Sequence, residues 1–167
     1  MKPNPSNTSI TRAFIGTWAL ESFTEHSETT GSVQPFGPNP AGLLIYTAEG
    51  IVSAQLMRSG RDELSAGAWD RTSSAGLAVL AEGYIAYCGT FAVHEESQHM
   101  IHTPIVALLP NLLDRAQLRT YTLDGQQLTL ETVRIGTQGL PIKTSLVWRR
   151  YEERRSSDAL PRPSSNS

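Results

Sequence analysis

The chain has 167 residues, a length that fits one domain built around one core. Hydrophobic residues make up 39% and charged residues 18%, which is an ordinary globular composition. The formal net charge of -2 and the lack of a basic stripe argue against a nucleic-acid partner. Cys88 is the sole cysteine, so an intrachain disulfide is excluded, which suits a reducing compartment.

The two ends of the sequence have the composition of tails. Residues 1–10 and 152–167 are rich in Pro, Ser and Asn or in charge, and they gain too little from burial to offset the entropy of ordering. We therefore expect disordered tails there and one folded domain over residues 11–151. No apolar stretch follows Lys2, and no run approaches the roughly 18 apolar residues of a membrane span. This predicts a cytoplasmic protein without a signal peptide or membrane insertion.

Between the tails the pattern is mainly that of β-strands separated by glycine-containing turns. Ala48-Glu49-Gly50 and Asp124-Gly125 are the clearest hairpin turns. The predicted strands cover residues 14–24, 41–47, 51–58, 84–94, 100–109, 117–123, 126–133 and 142–151. Successive hairpins at this spacing predict an all-β fold, a single antiparallel up-and-down β-barrel, because closing the meander removes exposed strand edges.

One short helix is predicted over residues 72–82. Asp70 or Thr72 would cap its N-terminus, and Gly83 would end it. Its apolar stripe consists of Leu77, Leu80 and Ala81. Two placements are open: a plug or lid across one end of the barrel, or a packing helix between strands.

The Asp124-Gly125 turn predicts which way Arg119 points. A two-residue loop pairs Tyr121 with Leu128, and strand alternation then places Arg119 on the apolar inner face. This face would carry Arg119, Tyr121, Leu123, Leu128 and Leu130. An unpaired buried guanidinium costs several kcal/mol, so Arg119 would need a carboxylate, carbonyls, water, or an anionic or carbonyl-bearing ligand. The alternatives are an arginine that reaches solvent at the rim, or a three-residue loop that reverses the facing.

The hairpin around residues 95–98 predicts the position of His102. A four-residue loop pairs His94 with His99 and Phe91 with His102. The inner face would then hold Tyr87, Gly89, Phe91, Val93, Met100 and His102. An inner His102 suits a general acid or base near neutral pH, or a neutral, hydrogen-bonded core histidine. Because His94 and His99 fall on the opposite face, we predict no metal site.

A third group of polar side chains has an ambiguous facing. It consists of Tyr46, Ser53, Gln55, Met57, Tyr84 and Tyr87. A three-residue turn before Ile51 groups Ser53, Gln55 and Met57 with Ile45, whereas a two-residue turn groups them with Tyr46. Inside the barrel these side chains would orient an apolar ligand; outside they would need no functional explanation.

No serine-nucleophile elbow, phosphate-binding loop or dinucleotide glycine fingerprint occurs in the sequence. We therefore expect any catalysis to proceed without a cofactor.

The first and last predicted strands carry a resemblance to lipocalins. Gly16-Thr17-Trp18 resembles the Gly-x-Trp signature of that family, and Trp148-Arg149-Arg150 stands where the family has an arginine in the last strand. The resemblance implies that Trp18 closes one end of the barrel and that Arg149 or Arg150 packs over it. Such a stack is physically reasonable, because a guanidinium face packs on indole while its edge binds backbone carbonyls.

A closer resemblance is to the lipocalin-like domain family of small microbial and fungal proteins. The matching pieces include Pro35-Phe36-Gly37, residues 42–47, residues 53–58, residues 83–87, Gly89-Thr90-Phe91, His102, Arg119, residues 123–125 and residues 146–148. The family usually has the same residue types at His102 and Arg119. The chain departs from the family's Pro-Asn-Trp-x-Gly motif, having Pro110-Asn111-Leu112-Leu113-Asp114, which suggests a reshaped barrel mouth.

Together these features predict a site inside the barrel. We expect His102, Arg119 and Tyr46 as catalytic residues, and ligand contacts from Gln55, Met57, Tyr84, Tyr87, Phe91, Tyr121 and Trp148. The first hypothesis is a cofactor-free isomerase or cyclase that acts on a hydrophobic polyketide- or terpenoid-like intermediate of secondary metabolism.

Two alternatives stay open. The first is a non-catalytic binding or carrier protein for the same kind of small hydrophobic molecule. The second is an interaction module with a filled barrel, whose cavity would be absent or smaller than roughly 300 Å³. A homodimer is compatible with the sequence.

Overall fold

The computed structural model describes residues 9–61 and 74–152. The expected tails lie outside these ranges except for Ser9, Ile10 and Glu152, and the two candidate helix caps, Asp70 and Thr72, also lie outside the described residues.

Nine strands form one antiparallel sheet in the described residues. They are β1 (Gly16–Ser27), β2 (Gly31–Val33), β3 (Ala41–Tyr46), β4 (Ile51–Met57), β5 (Tyr84–His94), β6 (His99–Ala107), β7 (Gln117–Asp124), β8 (Gln127–Ile135) and β9 (Pro141–Arg150). The order is β2-β1-β3-β4-β5-β6-β7-β8-β9, and β9 also pairs with β1. Eight strands therefore close into a barrel, and short β2 is an additional strand beside the end of β1. The predicted antiparallel up-and-down barrel is confirmed.

Alternating side chains give the barrel its core. On β4, Val52, Ala54 and Leu56 are buried, whereas Gln55 and Met57 between and beyond them are exposed. The same alternation runs through the other barrel strands, so the apolar residues meet inside. The largest fully buried side chains are Trp18, Trp148, Tyr46, Phe14, Leu44, Met100, Leu128, Leu130, His102, Val52 and Pro104.

The hairpin registers decide which predicted residues face inward. In β5–β6, His94 pairs with His99 and Phe91 with His102, as predicted. In β7–β8, Leu123 pairs with Leu128, because the two loop residues are Gly125 and Gln126. The predicted register is therefore wrong by one step on each strand. The inward facing survives this shift, because a loop of two residues keeps the same alternation.

Helix α1 (Ser9–Phe14) covers one end of the barrel, which we call the closed end. Phe14 is fully buried and contacts the rings of Tyr46 and Tyr121 edge to face, at centroid distances of 6.2 and 4.9 Å. The sequence predicted that the first strand begins at Phe14, and this start is wrong, because Phe14 ends α1 and β1 begins at Gly16. Ile10 packs against the core, so a helical turn begins before the first strand.

Helix α2 (Ser74–Glu82) joins β4 to β5 at the opposite end of the barrel, which we call the open end. It packs beside β5 and ends before Gly83, where the sequence predicted its stop. Leu77 is 47% exposed, and no described α2 residue lines the interior cavity. The described part of α2 therefore packs beside the barrel and does not fill it.

A single 3₁₀ turn (Pro110–Leu112) follows β6 at the open end. Asp114 closes this loop with a positive φ of 54° and donates its backbone N–H to the carbonyl of Pro104. Left-handed backbone favours glycine and tolerates Asp. This explains why Asp114 can stand where the resembled motif has glycine.

Candidate functional site

The open half of the barrel encloses a cavity of about 210 Å³. Its lining is mainly apolar and includes Phe23, Leu44, Ala54, Leu56, Ile85, Leu130, Leu146 and Trp148, with Leu109 and Leu112 from the loop after β6. Polar atoms come from Glu25, Tyr87, His102, Arg119, Thr132 and Thr144. Leu109 is 44% exposed, so the cavity reaches solvent at the open end.

The volume places limits on any ligand. It lies below the roughly 300 Å³ expected for a drug-sized ligand. It exceeds the roughly 150 Å³ of an engineered apolar cavity that binds benzene. The volume therefore meets the limit expected above for a filled barrel, so size gives no support to a binding barrel, and the case for one depends on the polar side chains.

His102 lies on the cavity wall between two tyrosines. Tyr46 Oη is 2.7 Å from His102 Nε2, and Tyr87 Oη is 2.7 Å from His102 Nδ1. All three side chains are buried, and we call them the Tyr–His–Tyr chain. The strand register produces this chain, because inward-facing residues of β3, β5 and β6 meet inside the barrel. The ring of Phe91 packs beside them, with its centroid 4.7 Å from that of the Tyr46 ring.

Burial sets the protonation of this chain. It lowers the pKa of His102 well below 6.5, and the nearby Arg119 charge lowers it further. Burial also raises the pKa of Tyr46 well above 10, mainly because the phenolate would lose water. The pKa of Tyr87 rises for the same reason, although Arg119 opposes the shift. The imidazole is therefore neutral at pH 7, and both hydroxyls keep their protons.

Arg119 faces the cavity, as the sequence predicted, and its guanidinium is incompletely paired. Nη1 donates to the carbonyl of Gln117 at 2.9 Å, and Nη2 reaches Tyr87 Oη at a long 3.4 Å. Its central carbon lies 6.0 Å from the Tyr87 ring. No carboxylate of the described residues lies within 4.0 Å of it. The charge is therefore left to water or to a ligand, and we call Tyr87 Oη and the Arg119 guanidinium the donor pair.

Trp148 has an unpaired indole N–H beside the cavity, but the nitrogen itself has almost no accessible surface. Within residues 9–61 and 74–152, its indole N–H is the buried side-chain polar atom left without a hydrogen-bond partner. The ring is 1% exposed and lines the cavity. An unsatisfied buried donor costs about 1–3 kcal/mol, so this N–H lowers the stability of the fold, and an acceptor in the cavity does not reach it in this arrangement.

Among the described residues, the one carboxylate on the cavity lining, Glu25, is paired with neighbouring side chains. Arg134 Nη2 forms an ion pair with Glu25 Oε2 at 3.1 Å, and Thr144 Oγ1 donates to Glu25 Oε1 at 3.3 Å. The Glu25 carboxylate thus already has partners, which leaves it little capacity for a ligand.

Three predicted site residues lie next to the cavity without lining it. Tyr46 and Phe91 pack behind His102, and Tyr121 packs against Phe14 at the closed end. Tyr46 was predicted as catalytic, but it is covered on all sides at 1% exposure. Its hydroxyl contacts His102 and not the cavity, whereas Tyr87, His102, Arg119 and Trp148 line the cavity directly.

Three other predicted ligand contacts face the wrong way. The turn Ala48-Glu49-Gly50 has three residues, because Tyr46 pairs with Val52 and Ile45 with Ser53. Gln55 and Met57 therefore point outward, and Tyr84 joins them because it pairs with Met57. They line an open surface groove, where the Tyr84 hydroxyl donates to Gln55. Their predicted place inside the barrel is wrong.

Sequence analysis missed Glu25, Leu109 and Leu112 as cavity residues. The departure from the resembled motif at Leu112 was an available signal, since a leucine stands where the family has tryptophan. Glu25 gave no such signal, because a bulge between Leu20 and Ser22 shifts the alternation along β1.

No cluster of metal-binding side chains occurs in the described residues. His94 and His99 lie on the outer face, as predicted, away from His102. No helix in the described ranges is long and apolar enough to cross a membrane.

The closed end has the Trp–Arg stack that the lipocalin resemblance implied. Arg150 lies over the Trp18 ring at 4.2 Å and donates to the carbonyls of Ala13 and Ile15, while Arg149 points outward to Glu21. A Cβ at Gly16 would lie 3.0 Å from Arg150 Nη1, and the φ of 130° there also favours glycine. Gly16 therefore makes room for the arginine.

Comparison with known proteins agrees with this architecture. The sequence profile of the lipocalin-like domain matches residues 15–151, which is most of the chain. The protein therefore belongs to the lipocalin-like domain family, a class of β-barrel that suggests small-molecule binding. No curated protein matches the sequence.

Proposed function

We propose that this protein binds a small, largely apolar molecule inside the barrel and orients it through the donor pair of Tyr87 and Arg119. The supporting observation is the incomplete pairing of Arg119 on the wall of an otherwise apolar cavity. A guanidinium turned toward an apolar space is unfavourable unless something binds it. A solidly filled barrel would gain nothing from it.

The cavity size narrows the ligand. About 210 Å³ suits a single substituted ring or a short branched chain, and a longer tail would extend through the open end past Leu109. The apolar walls bind the hydrocarbon part, and the few polar atoms fix its orientation.

Mass spectrometry of small molecules extracted from the purified protein tests this proposal. Ala54→Leu should abolish the copurifying compound, because Ala54 lines the cavity and the larger side chain fills it. Ser53→Leu is the matched control, since Ser53 is the next residue and faces the outer groove. Equal recovery from the two variants would contradict an interior site.

The donor pair also favours a second candidate, a cofactor-free isomerase or cyclase. Two donors aimed at one oxygen polarise a carbonyl and stabilise an oxyanion, and removing one such donor from an enzyme typically costs about 2.7–4 kcal/mol of transition-state stabilisation. His102 is a poor direct acid or base here, because both ring nitrogens are bound to tyrosines and its pKa is low. Any proton transfer to a ligand would pass through Tyr87.

Kinetics separate the two candidates once the extracted compound is known. For an enzyme, Tyr87→Phe and Arg119→Met should lower turnover more than they weaken binding. If they change binding alone, the protein is a carrier.

A further inference from the structure

The hydrogens of the Tyr–His–Tyr chain determine which tautomer His102 adopts. A neutral imidazole has one N–H and one accepting nitrogen, and each tyrosine has one hydroxyl proton. Within the described residues, Tyr46 Oη has a single partner, His102 Nε2. Tyr87 Oη has two partners, His102 Nδ1 and Arg119 Nη2.

The common Nε2–H tautomer would leave a buried proton without an acceptor. His102 would then donate to Tyr46 Oη, so the hydroxyl proton of Tyr46 would have nowhere to go. Tyr46 is 1% exposed and does not line the cavity, so neither solvent nor a ligand reaches it. Buried polar hydrogens are rarely left unpaired.

The Nδ1–H tautomer moves the unpaired proton from Tyr46, which nothing reaches, to Tyr87 on the cavity wall. Tyr46 then donates to Nε2, and Nδ1–H donates to Tyr87 Oη, which also accepts from Arg119. The proton left over belongs to the Tyr87 hydroxyl, and Tyr87 lines the cavity. A hydroxyl that accepts two hydrogen bonds is polarised and becomes a stronger donor.

We propose that His102 is held as the Nδ1–H tautomer, so that Tyr87 and Arg119 both present donors to the cavity and select a ligand with an accepting carbonyl or carboxylate oxygen. This inference rests on the proposed function and specifies its ligand class. The one carboxylate on the lining, Glu25, is already bound by Arg134 and Thr144.

Nitrogen-15 NMR of the ligand-free protein tests the tautomer. His102 is the one fully buried histidine of the four, all of which lie in the described ranges, so its ring N–H exchanges slowly and identifies its signals. We expect a proton on Nδ1 and an unprotonated Nε2. A proton on Nε2 would overturn the inference whether or not the barrel binds ligands.

Isosteric probes test the ligand class. Four compounds of similar size differ in their polar group. Acetophenone has a neutral acceptor, benzoate an anionic acceptor, isopropylbenzene no polar group, and benzamidinium a cationic donor. In the wild type we expect benzamidinium to bind least.

Two variants test the donors separately. Tyr87→Phe should weaken the binding of acetophenone and benzoate by up to about tenfold, the value of one hydrogen bond, and leave the binding of isopropylbenzene unchanged. The binding of benzoate also depends on the charge of Arg119, so Arg119→Met should weaken the binding of benzoate more than that of acetophenone.

Tyr84→Phe is the matched control, because it removes a hydroxyl from the same strand on the outer face and should change no probe affinity. Equal losses for acetophenone and isopropylbenzene in Tyr87→Phe would overturn the donor assignment and leave the binding function standing. Tight benzamidinium binding would also overturn it. Binding of none of the four probes would refute the proposed function itself.

Discussion

The two halves of the barrel each contain a tryptophan and an arginine, and they use them differently. At the closed end, Trp18 donates its indole N–H to Phe14, and Arg150 binds two carbonyls while stacking on the ring. In the open half, Trp148 has no partner for its N–H, and Arg119 has one carbonyl and one long contact. The same residue types are therefore satisfied at one end and unsatisfied at the other.

Under the proposed function, this difference separates residues that stabilise the fold from residues that bind the ligand. A fully bonded Trp–Arg pair contributes to the stability of the fold, because each donor replaces water by a fixed carbonyl. An incompletely bonded pair contributes little to stability and leaves binding capacity for a ligand. Natural proteins commonly break local rules at functional sites, and the open half follows this tendency.

The largest expected effect is at the closed end. Trp18→Ala should lower the free energy of unfolding by about 3–5 kcal/mol, because it removes a fully buried ring and the surface on which Arg150 packs. Urea unfolding followed by circular dichroism measures the loss. A loss below about 1 kcal/mol would mean that the closed end is not the stabilising half.

Exchanging each arginine for methionine tests the comparison directly. Arg150→Met should lower the free energy of unfolding by about 2–3 kcal/mol, because two charged hydrogen bonds are lost and buried carbonyls are left unpaired. Arg119→Met should change it by less than about 1 kcal/mol in the ligand-free protein, because the loss of one hydrogen bond to Gln117 and one long contact is offset by removing an incompletely paired charge from the apolar cavity.

Arg149→Met is the control for the loss of a charge on the same strand. Its ion pair with Glu21 is exposed, so we expect at most about 1 kcal/mol. Equal losses for Arg150 and Arg119 would remove the distinction between the two ends.

The buried imidazole predicts a pH dependence of stability. The folded-state pKa of His102 is lowered by burial and by Arg119, so below pH 6.5 the unfolded state binds a proton that the folded state does not. Stability is therefore present above pH 6.5 and is lost as the pH falls from 6.5 toward the folded pKa, by up to about 1.4 kcal/mol per pH unit.

Urea unfolding at a series of pH values from 7.5 to 5.5, on the wild type and on His102→Gln, measures this dependence. The Gln variant should lose the slope over this range. Glu21 does not interfere, because its pKa is lowered from 4.5 by the hydrogen bond from Arg149 and it titrates at lower pH. A slope that survives in His102→Gln would assign it to another group.

The barrel and the facing of Arg119 and His102 were predictable because they depend on alternation and on turn length. Both turns have the number of loop residues that the sequence predicted. Arg119 and His102 therefore face inward, even though the β7–β8 pairing is shifted by one residue on each strand. The facing of Gln55 and Met57 was left open, although Ala48-Glu49-Gly50 has the composition of a three-residue turn with glycine in the left-handed position; that turn forms, with Gly50 at a φ of 86°, and it places both side chains outside.

Other parts of the site depend on contacts distant in sequence. In the Tyr–His–Tyr chain, Tyr46 lies 56 positions from His102 in the sequence and Tyr87 lies 15 positions from it, so no local pattern indicates the chain. Helix α1 escaped prediction because six residues give too short a periodicity, and its stability comes from burying Phe14. The bulge in β1 that brings Glu25 to the cavity likewise has no signature in the sequence.

The smallest expected effect is the difference between the two tryptophans when each is changed to phenylalanine. Both rings are buried, so Trp18→Phe and Trp148→Phe lose similar apolar area. Trp18→Phe also loses a 2.9 Å hydrogen bond to Phe14, whereas Trp148→Phe removes an N–H that has no partner in the described residues. Trp148→Phe should therefore be less destabilising by about 1 kcal/mol, the net value of one hydrogen bond. Equal losses in urea unfolding would show that the unpaired Trp148 N–H costs the fold nothing, and the two tryptophans would then not distinguish the two ends of the barrel.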